Sequence, residues 1–377
     1  MRFLSLLFLF TFSVNAQDTA YARKVIKYLT SERCFGRGYI HGGLETAEKY
    51  LISEIKKKKL KPLVHETYTQ SFFHSVNIFP GKCNVRINGK KLRPGIDFIL
   101  KPNSCSVKGK YYLTQKDSAN FIQLNGEQKL KLHLKKRLTY SVENSSSTSC
   151  VIELDTAKFN EAPKKIELNV KSKVVSNFES KNILSFIAGT SDSVIVFSAH
   201  YDHLGGMGNK TFFPGANDNA SGVSMVLNLI DYYTAHQPKY KTVFIFFAGE
   251  EAGLLGSKYF VESEVLDLLK IKFLINLDLL GTGDDGIMVV NGAIHTKQFD
   301  LLNRLNSEKN LVKQIKKRGK AANSDHYWFS EAGVPCFFIY TMGGISAYHD
   351  VYDVEKTLPL TDYVDVFRLI TAFVEKL

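Results

Sequence analysis

Residues 242–251 read TVFIFFAGEE, and residues 193–200 read SVIVFSAH. Each stretch is an almost unbroken apolar run of strand length that leads directly into a carboxylate or an imidazole. Runs that are apolar on both faces are typical of strands buried in a largely parallel sheet that helices cover on both sides. These two stretches therefore predict an α/β fold with polar groups gathered at one edge of its sheet.

Further runs of the same kind extend this pattern towards the C-terminus, at residues 273–277, 287–290 and 336–340. Apolar residues recur at the spacing of a helix in two sets: Val223, Val226, Leu227 and Ile230 form the first, and Val366, Phe367, Ile370 and Phe373 form the second. We predict a three-layer α/β/α fold with a mixed, mostly parallel central sheet.

The character of the sequence changes between residues 71 and 175. Short alternating runs such as NVRI at residues 84–87 are interrupted by turn signals, including Asn88-Gly89 and Pro94-Gly95. We predict a β-rich insertion at residues 71–175, within an α/β domain formed by residues 17–70 and 176–377, which carries the candidate site residues. The insertion has no catalytic motif of its own, and both a lid and a structural appendage remain open as its role.

The chain begins with the features of an export signal. Arg2 precedes the apolar run FLSLLFLF, and the small residues Val14 and Ala16 precede Gln17. This order is typical of a secretory signal peptide, and the apolar run is too short to span a bilayer. We predict removal of residues 1–16 and export to the periplasm or the medium, with no membrane span in the mature chain.

The net charge of +12 comes partly from lysine runs such as residues 56–59. Such runs can bind nucleic acid or an anionic surface, but no nucleic-acid-binding motif accompanies them here. We therefore interpret them as solvated surface and expect no nucleic-acid partner.

Five stretches supply side chains suited to binding metal ions. They are His200 in SAHYDHLG, Asp218 in PGANDNASG, Glu250 and Glu251 in FAGEEAGLLGS, Asp278 in INLDLLGT, and His349 in AYHDVYD. Several of these side chains follow predicted strands, and the carboxyl ends of such strands meet at one edge of the sheet. Imidazoles and carboxylates without a thiolate favour zinc, with manganese or cobalt as replacements. The set suits two zinc ions that share a bridging carboxylate, with Glu250 left to move protons.

In this order, the five segments resemble the metal-site motifs of peptidase family M28, which contains zinc-dependent aminopeptidases, glutamate carboxypeptidases and glutaminyl cyclases. The resemblance runs from about residue 182 to the C-terminus. It implies that His200 and Asp278 bind one zinc ion, that Glu251 and His349 bind the other, that Asp218 bridges them, and that Glu250 is the general base. It also implies that Asp202 accepts a hydrogen bond from the imidazole of His200 and that the peptide bond after Asp218 is cis.

One part of the family pattern is missing. Some family members carry a tyrosine shortly before a Ser-Asp-His segment, where it stabilises the oxyanion, but residues 321–323 before Ser324 read AAN. Tyr327 and Tyr340 are our candidates for this oxyanion or pocket role. His203 is expected to line the pocket rather than bind metal, because the ligand set is complete without it.

The leading functional hypothesis is an aminopeptidase that acts on peptides. A glutaminyl-peptide cyclotransferase would need only one zinc ion, and the stretches GANDNASG and AGEEAGLLGS look more like those of hydrolases. A carboxypeptidase should carry a basic cluster for the substrate carboxylate, and the lysine runs do not lie on the motif loops. A binding module without catalytic activity would typically have lost ligands, whereas this chain keeps the whole set.

Overall fold

The computed structural model describes residues 19–64, 66–124, 126, 129–159 and 161–377. The predicted export signal lies outside these residues. The helices are α1 Thr19–Leu29, α2 Gly43–Lys57, α3 Gly222–Ala235, α4 Leu255–Glu262, α5 Thr296–Lys309, α6 His326–Glu331 and α7 Tyr363–Lys376. The strands are β1 Lys61–Pro62, β2 Thr69–Ile78, β3 Cys83–Ile87, β4 Lys90–Lys91, β5 Phe98–Leu100, β6 Val107–Gln115, β7 Asn120–Gln123, β8 Leu130–Lys135, β9 Cys150–Asp155, β10 Lys165–Val170, β11 Lys173–Ile187, β12 Ser191–His200, β13 Gly206–Met207, β14 Thr211–Phe212, β15 Tyr240–Phe247, β16 Ile271–Leu277, β17 Ile287–Val290, β18 Ile315–Lys317 and β19 Cys336–Thr341.

Within these residues, the central sheet has the strand order β1-β11-β15-β12-β16-β19-β17-β18, with β2 paired to β11. Its middle strands β15, β12, β16 and β19 are parallel, whereas β11 and β17 join them in antiparallel register. Parallel strands need crossover connections, and α3 supplies one between β12 and β15. The carboxyl ends of β15, β12 and β16 therefore lie side by side.

Alternate residues of the middle strands pack into two different cores. Ile195 and Phe197 of β12 face one core, and Val194 and Val196 face the other, because successive side chains of a strand point to opposite faces. The first core is shared with α1, α2, α3, α5 and α7, and the second with α4 and α6. The strands are therefore covered on both faces, as their unbroken apolar sequence predicted.

A second sheet has the order β4-β3-β10-β6-β7-β8-β9-β5 and encloses a separate core. Most of its pairs are antiparallel, with β8 and β9 as a parallel pair. The long strands β2 and β11 pair with each other and connect this β-rich unit to the central sheet.

The predicted fold class is confirmed: a mixed, mostly parallel central sheet lies between two helical layers, and a separate β-rich unit accompanies it. All five predicted strand runs lie within β12, β15, β16, β17 and β19. The domain boundaries at residues 70 and 175 remain predictions. No helix of the described part of the chain is long and apolar enough to cross a membrane.

Candidate metal centre

Four of the predicted site residues lie at the carboxyl ends of three adjacent parallel strands. His200 is the last residue of β12, Glu250 and Glu251 follow β15, and Asp278 follows β16. The crossover topology brings them together although they are far apart in sequence. All of these side chains are buried or half-buried.

The remaining two predicted ligands come from connecting segments. Asp218 lies in a short π-helical turn, Ala216–Ser221, whose backbone departs from helical geometry at Asp218 and Asn219 just before α3. The peptide bond between these two residues is cis, as the family resemblance implied. His349 follows β19 on a loop, and its φ of 53° lies in the left-handed region.

Asp218 lies between the two histidines. Its Oδ1 is 3.3 Å from His200 Nε2, and its Oδ2 is 3.1 Å from His349 Nε2. Each histidine faces one further carboxylate, because His200 Nε2 is 3.4 Å from Asp278 Oδ1 and His349 Nε2 is 3.4 Å from Glu251 Oε2. The five predicted ligands thus form two groups that share Asp218. The assignment of each group to one metal ion remains a prediction.

These distances fit zinc. Two ligand atoms bound at about 2.0–2.1 Å to the same tetrahedral zinc ion lie about 3.3 Å apart. The Oδ1 atom of Asp278 is buried without a hydrogen-bond donor among the described residues, as expected for an oxygen that coordinates a cation. Several buried carboxylates this close together would be costly to desolvate without positive charge between them. The donor set and its spacing therefore suit two divalent ions.

His203 has a larger part in the site than the sequence suggested. Its Nδ1 is 2.7 Å from Glu251 Oε1 and 3.9 Å from Asp218 Oδ1, and its ring is fully buried. Two groups among the described residues are compact enough to hold a metal ion: His203 with Asp218 and Glu251, and His200 with Glu250 and Asp278. The sequence analysis expected His203 only to line the pocket; the spacing of the two histidines in HYDH, three residues apart, is the sequence signal that could have indicated this contact.

The predicted contact between His200 and Asp202 exists, but through a different oxygen. The Nδ1 atom of His200 is 3.2 Å from the main-chain carbonyl of Asp202 and 3.8 Å from its carboxylate. The carboxylate instead accepts hydrogen bonds from the main-chain N–H groups of Glu250 and Glu251, at 3.2 and 3.3 Å, and from the Tyr39 hydroxyl at 3.2 Å. Asp202 therefore holds the backbone of the two glutamates in place.

The pKa values of the carboxylates in the site are shifted in different directions. Burial raises the pKa of Glu250 well above its usual range, and the neighbouring carboxylates of Glu251, Asp325 and Asp278 raise it further. Burial acts in the same direction on Asp218, but hydrogen bonds from the two histidines hold its pKa well below the usual range. Asp218 is thus kept ionised, as a ligand must be, whereas Glu250 readily holds a proton. A bound cation would lower the pKa of both.

Among the described residues, neither tyrosine predicted for the oxyanion role makes a hydrogen bond or ring contact with the six predicted metal-site residues. Tyr327 packs against Trp328, with ring centroids 5.0 Å apart, and the Tyr340 hydroxyl accepts a hydrogen bond of 3.2 Å from Arg318. Tyr348 lies there instead: its ring stacks on His349, with centroids 4.0 Å apart and an interplanar angle of 14°. Its side chain is partly exposed, so it lies at the boundary between the site and solvent.

A buried arginine holds the loop that carries Asp218. Arg37 is fully buried and donates to five main-chain carbonyls. These belong to Leu29 at 3.1 Å, Tyr201 at 2.9 Å, Pro214 at 2.7 Å, Gly215 at 2.8 Å and Asp218 at 3.1 Å. All five N–H groups of the Arg37 guanidinium can therefore donate to main-chain carbonyl oxygens.

A buried carboxylate holds the same loop through its N–H groups. Asp353 accepts from the main-chain N–H of Asn217 at 2.8 and 3.1 Å, and from that of Asp218 at 3.0 Å. Its own main-chain carbonyl accepts from the N–H of Ala216 at 3.1 Å. Burial raises the pKa of Asp353 to about 6. The sequence analysis gave no role to Arg37 or Asp353, although Asp353 ends the motif AYHDVYD.

Comparison with known proteins agrees with this geometry. The profile of peptidase family M28 matches residues 182–374, about half of the chain, and the six predicted metal-site residues lie within this range. The chain therefore belongs to peptidase family M28, as the five motifs indicated.

The matching proteins include enzymes named as aminopeptidases. A probable leucine aminopeptidase of Arthroderma otae is 30% identical over 185 residues, which are 47% of this chain and 51% of that protein. Aminopeptidase YwaD of Bacillus subtilis is 28% identical over 185 residues, 45% of this chain and 37% of that protein. The matches thus span about half or less of these relatives.

Solved structures share the fold over nearly the whole chain. BSAP, a zinc aminopeptidase from Bacillus subtilis, superposes with a TM-score of 0.70 and 20% identity, covering 96% of this chain and 95% of that one. A peptidase M28 precursor from Shewanella amazonensis SB2B gives a TM-score of 0.70 with 14% identity, covering 95% and 93%. At this identity the likeness establishes the fold, including the β-rich unit.

Proposed function

We propose that this protein is an exported two-zinc aminopeptidase that removes N-terminal residues from peptides. The observation that supports this most directly is the position of Asp218, whose two carboxylate oxygens lie 3.3 and 3.1 Å from two different histidines. A carboxylate with one oxygen in each of two ligand groups is what a pair of metal ions requires of a bridging ligand. The names of the matching proteins agree with this activity.

His200 and Asp278 would hold one zinc ion, Glu251 and His349 the other, and Asp218 would bridge them. When bound, the two ions would lower the pKa of a water molecule and polarise the scissile carbonyl. His203, hydrogen-bonded to Glu251, fixes the orientation of that carboxylate. Asp202 holds the main chain of both glutamates.

Glu250 is suited to move the proton. It lies beside His200 and Asp278, in the environment that raises its pKa. Its carboxylate would take a proton from the attacking water and then give that proton to the nitrogen of the leaving peptide. The adjacent Glu251 faces His203 and His349, so the two neighbouring glutamates have separate tasks.

The carboxylates also provide the negative surroundings that a free N-terminal ammonium group favours. Tyr348, stacked on His349 and partly exposed, is placed to contact the substrate, and we assign to it the hydrogen bond to the carbonyl oxygen that the sequence analysis sought from Tyr327 or Tyr340. Blocking the substrate amine should therefore prevent productive binding.

The proposed export rests on residues 1–16 of the sequence. Sequencing the N-terminus of the protein isolated from its host tests this: we expect a mature chain that starts near Gln17. A mature chain that retains residues 1–16 would contradict export by a cleaved signal.

Glu250→Gln tests the proposed reaction. This change keeps the size of the side chain and removes the proton acceptor, so we expect retained zinc and a fall in peptide hydrolysis of about 100-fold or more. The measurement is release of the first amino acid from unblocked peptides, with N-acetylated peptides of the same sequence as substrates that should not be cleaved. Near-normal turnover by Glu250→Gln would contradict the assignment.

Glu251→Gln is the matched control. It makes the same chemical change one residue further along, at a predicted ligand, so zinc as well as activity should be lost. The assay also distinguishes the alternative functions. Release of ammonia from N-terminal glutamine would indicate a cyclase, and removal of residues from the C-terminus a carboxypeptidase.

A further inference from the structure

The β-rich unit makes direct contact with a predicted metal ligand. Tyr140 lies on the segment between β8 and β9, far from His349 in sequence, yet the two residues exchange two hydrogen bonds. The main-chain N–H of Tyr140 donates to the carbonyl of His349 at 2.8 Å, and the carbonyl of Tyr140 is 3.0 Å from His349 Nδ1.

This contact selects the tautomer of the neutral imidazole of His349. A main-chain carbonyl can only accept a hydrogen bond, so the Nδ1 atom of His349 must carry the hydrogen. In the neutral ring, the form that binds a metal ion, the lone pair is then on Nε2, the atom that faces Asp218 at 3.1 Å and Glu251 at 3.4 Å. A partner of this kind orients a metal-binding histidine and raises its basicity.

Arg137 holds the same loop before and after the histidine. Its Nη2 donates to the carbonyl of Ser346, lies 3.4 Å from the carbonyl of Tyr348, and pairs with Asp350 at 3.6 Å. Val351, one residue further, packs against the core of the β-rich unit. The loop is thus attached to this unit on both sides of His349.

The contact between Tyr140 and His349 is supported by the packing and backbone conformation of both residues. The Tyr140 ring is buried and stacks on Phe213, with centroids 4.5 Å apart and an interplanar angle of 5°. His349 has a left-handed backbone, with φ of 53°, and a residue with a side chain keeps this conformation only where surrounding contacts define it. The contacts with Tyr140 and Arg137 provide that definition.

The other histidine does not depend on the β-rich unit. His200 Nδ1 contacts the carbonyl of Asp202 at 3.2 Å, within the same loop that follows β12. One predicted zinc group is therefore oriented from within the α/β core, and the other by the β-rich unit.

We propose that the β-rich unit positions a metal ligand: residues 137–140 hold loop 346–351 so that His349 presents Nε2 to its zinc ion. This inference rests on the proposed two-zinc function. It replaces the alternatives of a lid or an appendage with a defined role in assembling one of the two metal positions.

Arg137→Ala tests this role by titrating zinc-free protein with zinc in the presence of a chelating indicator. We expect the affinity for one zinc ion to fall about 10- to 100-fold, which is the usual effect of losing a residue that orients a metal ligand. The affinity for the other zinc ion should stay unchanged. Arg137→Lys keeps the charge that pairs with Asp350 and should restore part of the loss. Arg86→Ala removes an exposed arginine side chain of the same unit, whose one hydrogen bond among the described residues is to the carbonyl of Gly89, and should change neither affinity.

Two results would overturn the proposal: unchanged affinity for both ions in Arg137→Ala, or an equal fall for both ions. Measurement of kcat and KM with a peptide substrate adds a second readout, in which we expect kcat to fall more than KM rises. Because zinc affinity is measured without substrate, failure of the wild type to cleave peptides would count against the proposed function only.

Discussion

At the scale of single residues, the turn that carries Asp218 is held from two sides by opposite charges. Arg37 binds the carbonyl groups of this segment, and Asp353 binds its N–H groups. A buried charge without partners would be costly, so the complete hydrogen bonding of Arg37 explains why it is tolerated in the interior. Both side chains act on the backbone and leave the Asp218 carboxylate free for the site.

Arg37→Met should destabilise the protein strongly. The change keeps an unbranched side chain but removes the guanidinium, and so takes a donor from five buried carbonyl groups. The carbonyl of Gly215 still accepts from the N–H of Ala220 at 3.3 Å, and each carbonyl that is left unsatisfied costs about 1–3 kcal/mol. Because the surrounding structure can relax in part, the total cost is smaller than the sum of these values, and we expect the free energy of unfolding to fall by about 3–5 kcal/mol. Urea unfolding of the zinc-free protein measures this.

Arg368→Met is the matched control for that change. Arg368 lies exposed on α7 and pairs with Asp365 at 3.3 Å, so its loss should alter stability by about 0.5 kcal/mol or less. A loss below about 1 kcal/mol in Arg37→Met would show that the arginine does not hold the loop.

At the scale of elements, the start of α3 packs directly on the end of β16. A Cβ atom added to Gly222 would lie 2.4 Å from the carbonyl oxygen of Leu277 and 2.2 Å from Asn219 Oδ1. Leu277 directly precedes Asp278, and Asn219 directly follows Asp218. The distance between two predicted ligands therefore depends on this close approach of backbones.

Gly222→Ala should separate α3 from β16. We expect a loss of about 1–3 kcal/mol in the free energy of unfolding, the usual cost of overpacking, together with weaker zinc binding. Gly319→Ala is the control, because nothing lies within 4 Å of a Cβ atom at that position. Thermal unfolding and zinc titration of the two variants provide the test. Equal stability and equal zinc affinity of the two variants would exclude a steric clash at Gly222.

The predictable part of the structure follows from local patterns. The strands that end at His200, Glu250 and Asp278 were predicted from continuous apolar runs, and the edge they share follows from their parallel order. Contacts with main-chain groups that are far away along the chain leave no such pattern in the sequence. The carbonyl of Tyr140 that orients His349 and the carbonyls that hold Arg37 are main-chain groups, which any residue type supplies.

The oxyanion candidates show the same limit. Tyr327 and Tyr340 were the candidates from the sequence, whereas Tyr348 lies at the site because it neighbours His349 and stacks on it. The position of Tyr348 directly before His349 in AYHDVYD was the sequence signal that could have indicated this tyrosine.

At the scale of the whole molecule, two separately packed units meet at the candidate metal centre. The α/β core supplies the predicted ligands, and the β-rich unit holds the loop that carries one of them. Sequence patterns predicted both units and their fold classes. How they dock depends on contacts between residues about 200 positions apart, such as Arg137 with Asp350 and Tyr140 with His349.

The zinc content of the purified protein, measured beside that of Asp218→Ala, tests the account most directly. We predict about two zinc ions per wild-type chain, because the distances around Asp218 define two ligand groups. Removal of the shared carboxylate should leave about one ion or fewer per chain. A wild-type chain without zinc, or an Asp218→Ala variant that keeps both ions, would contradict the two-metal centre.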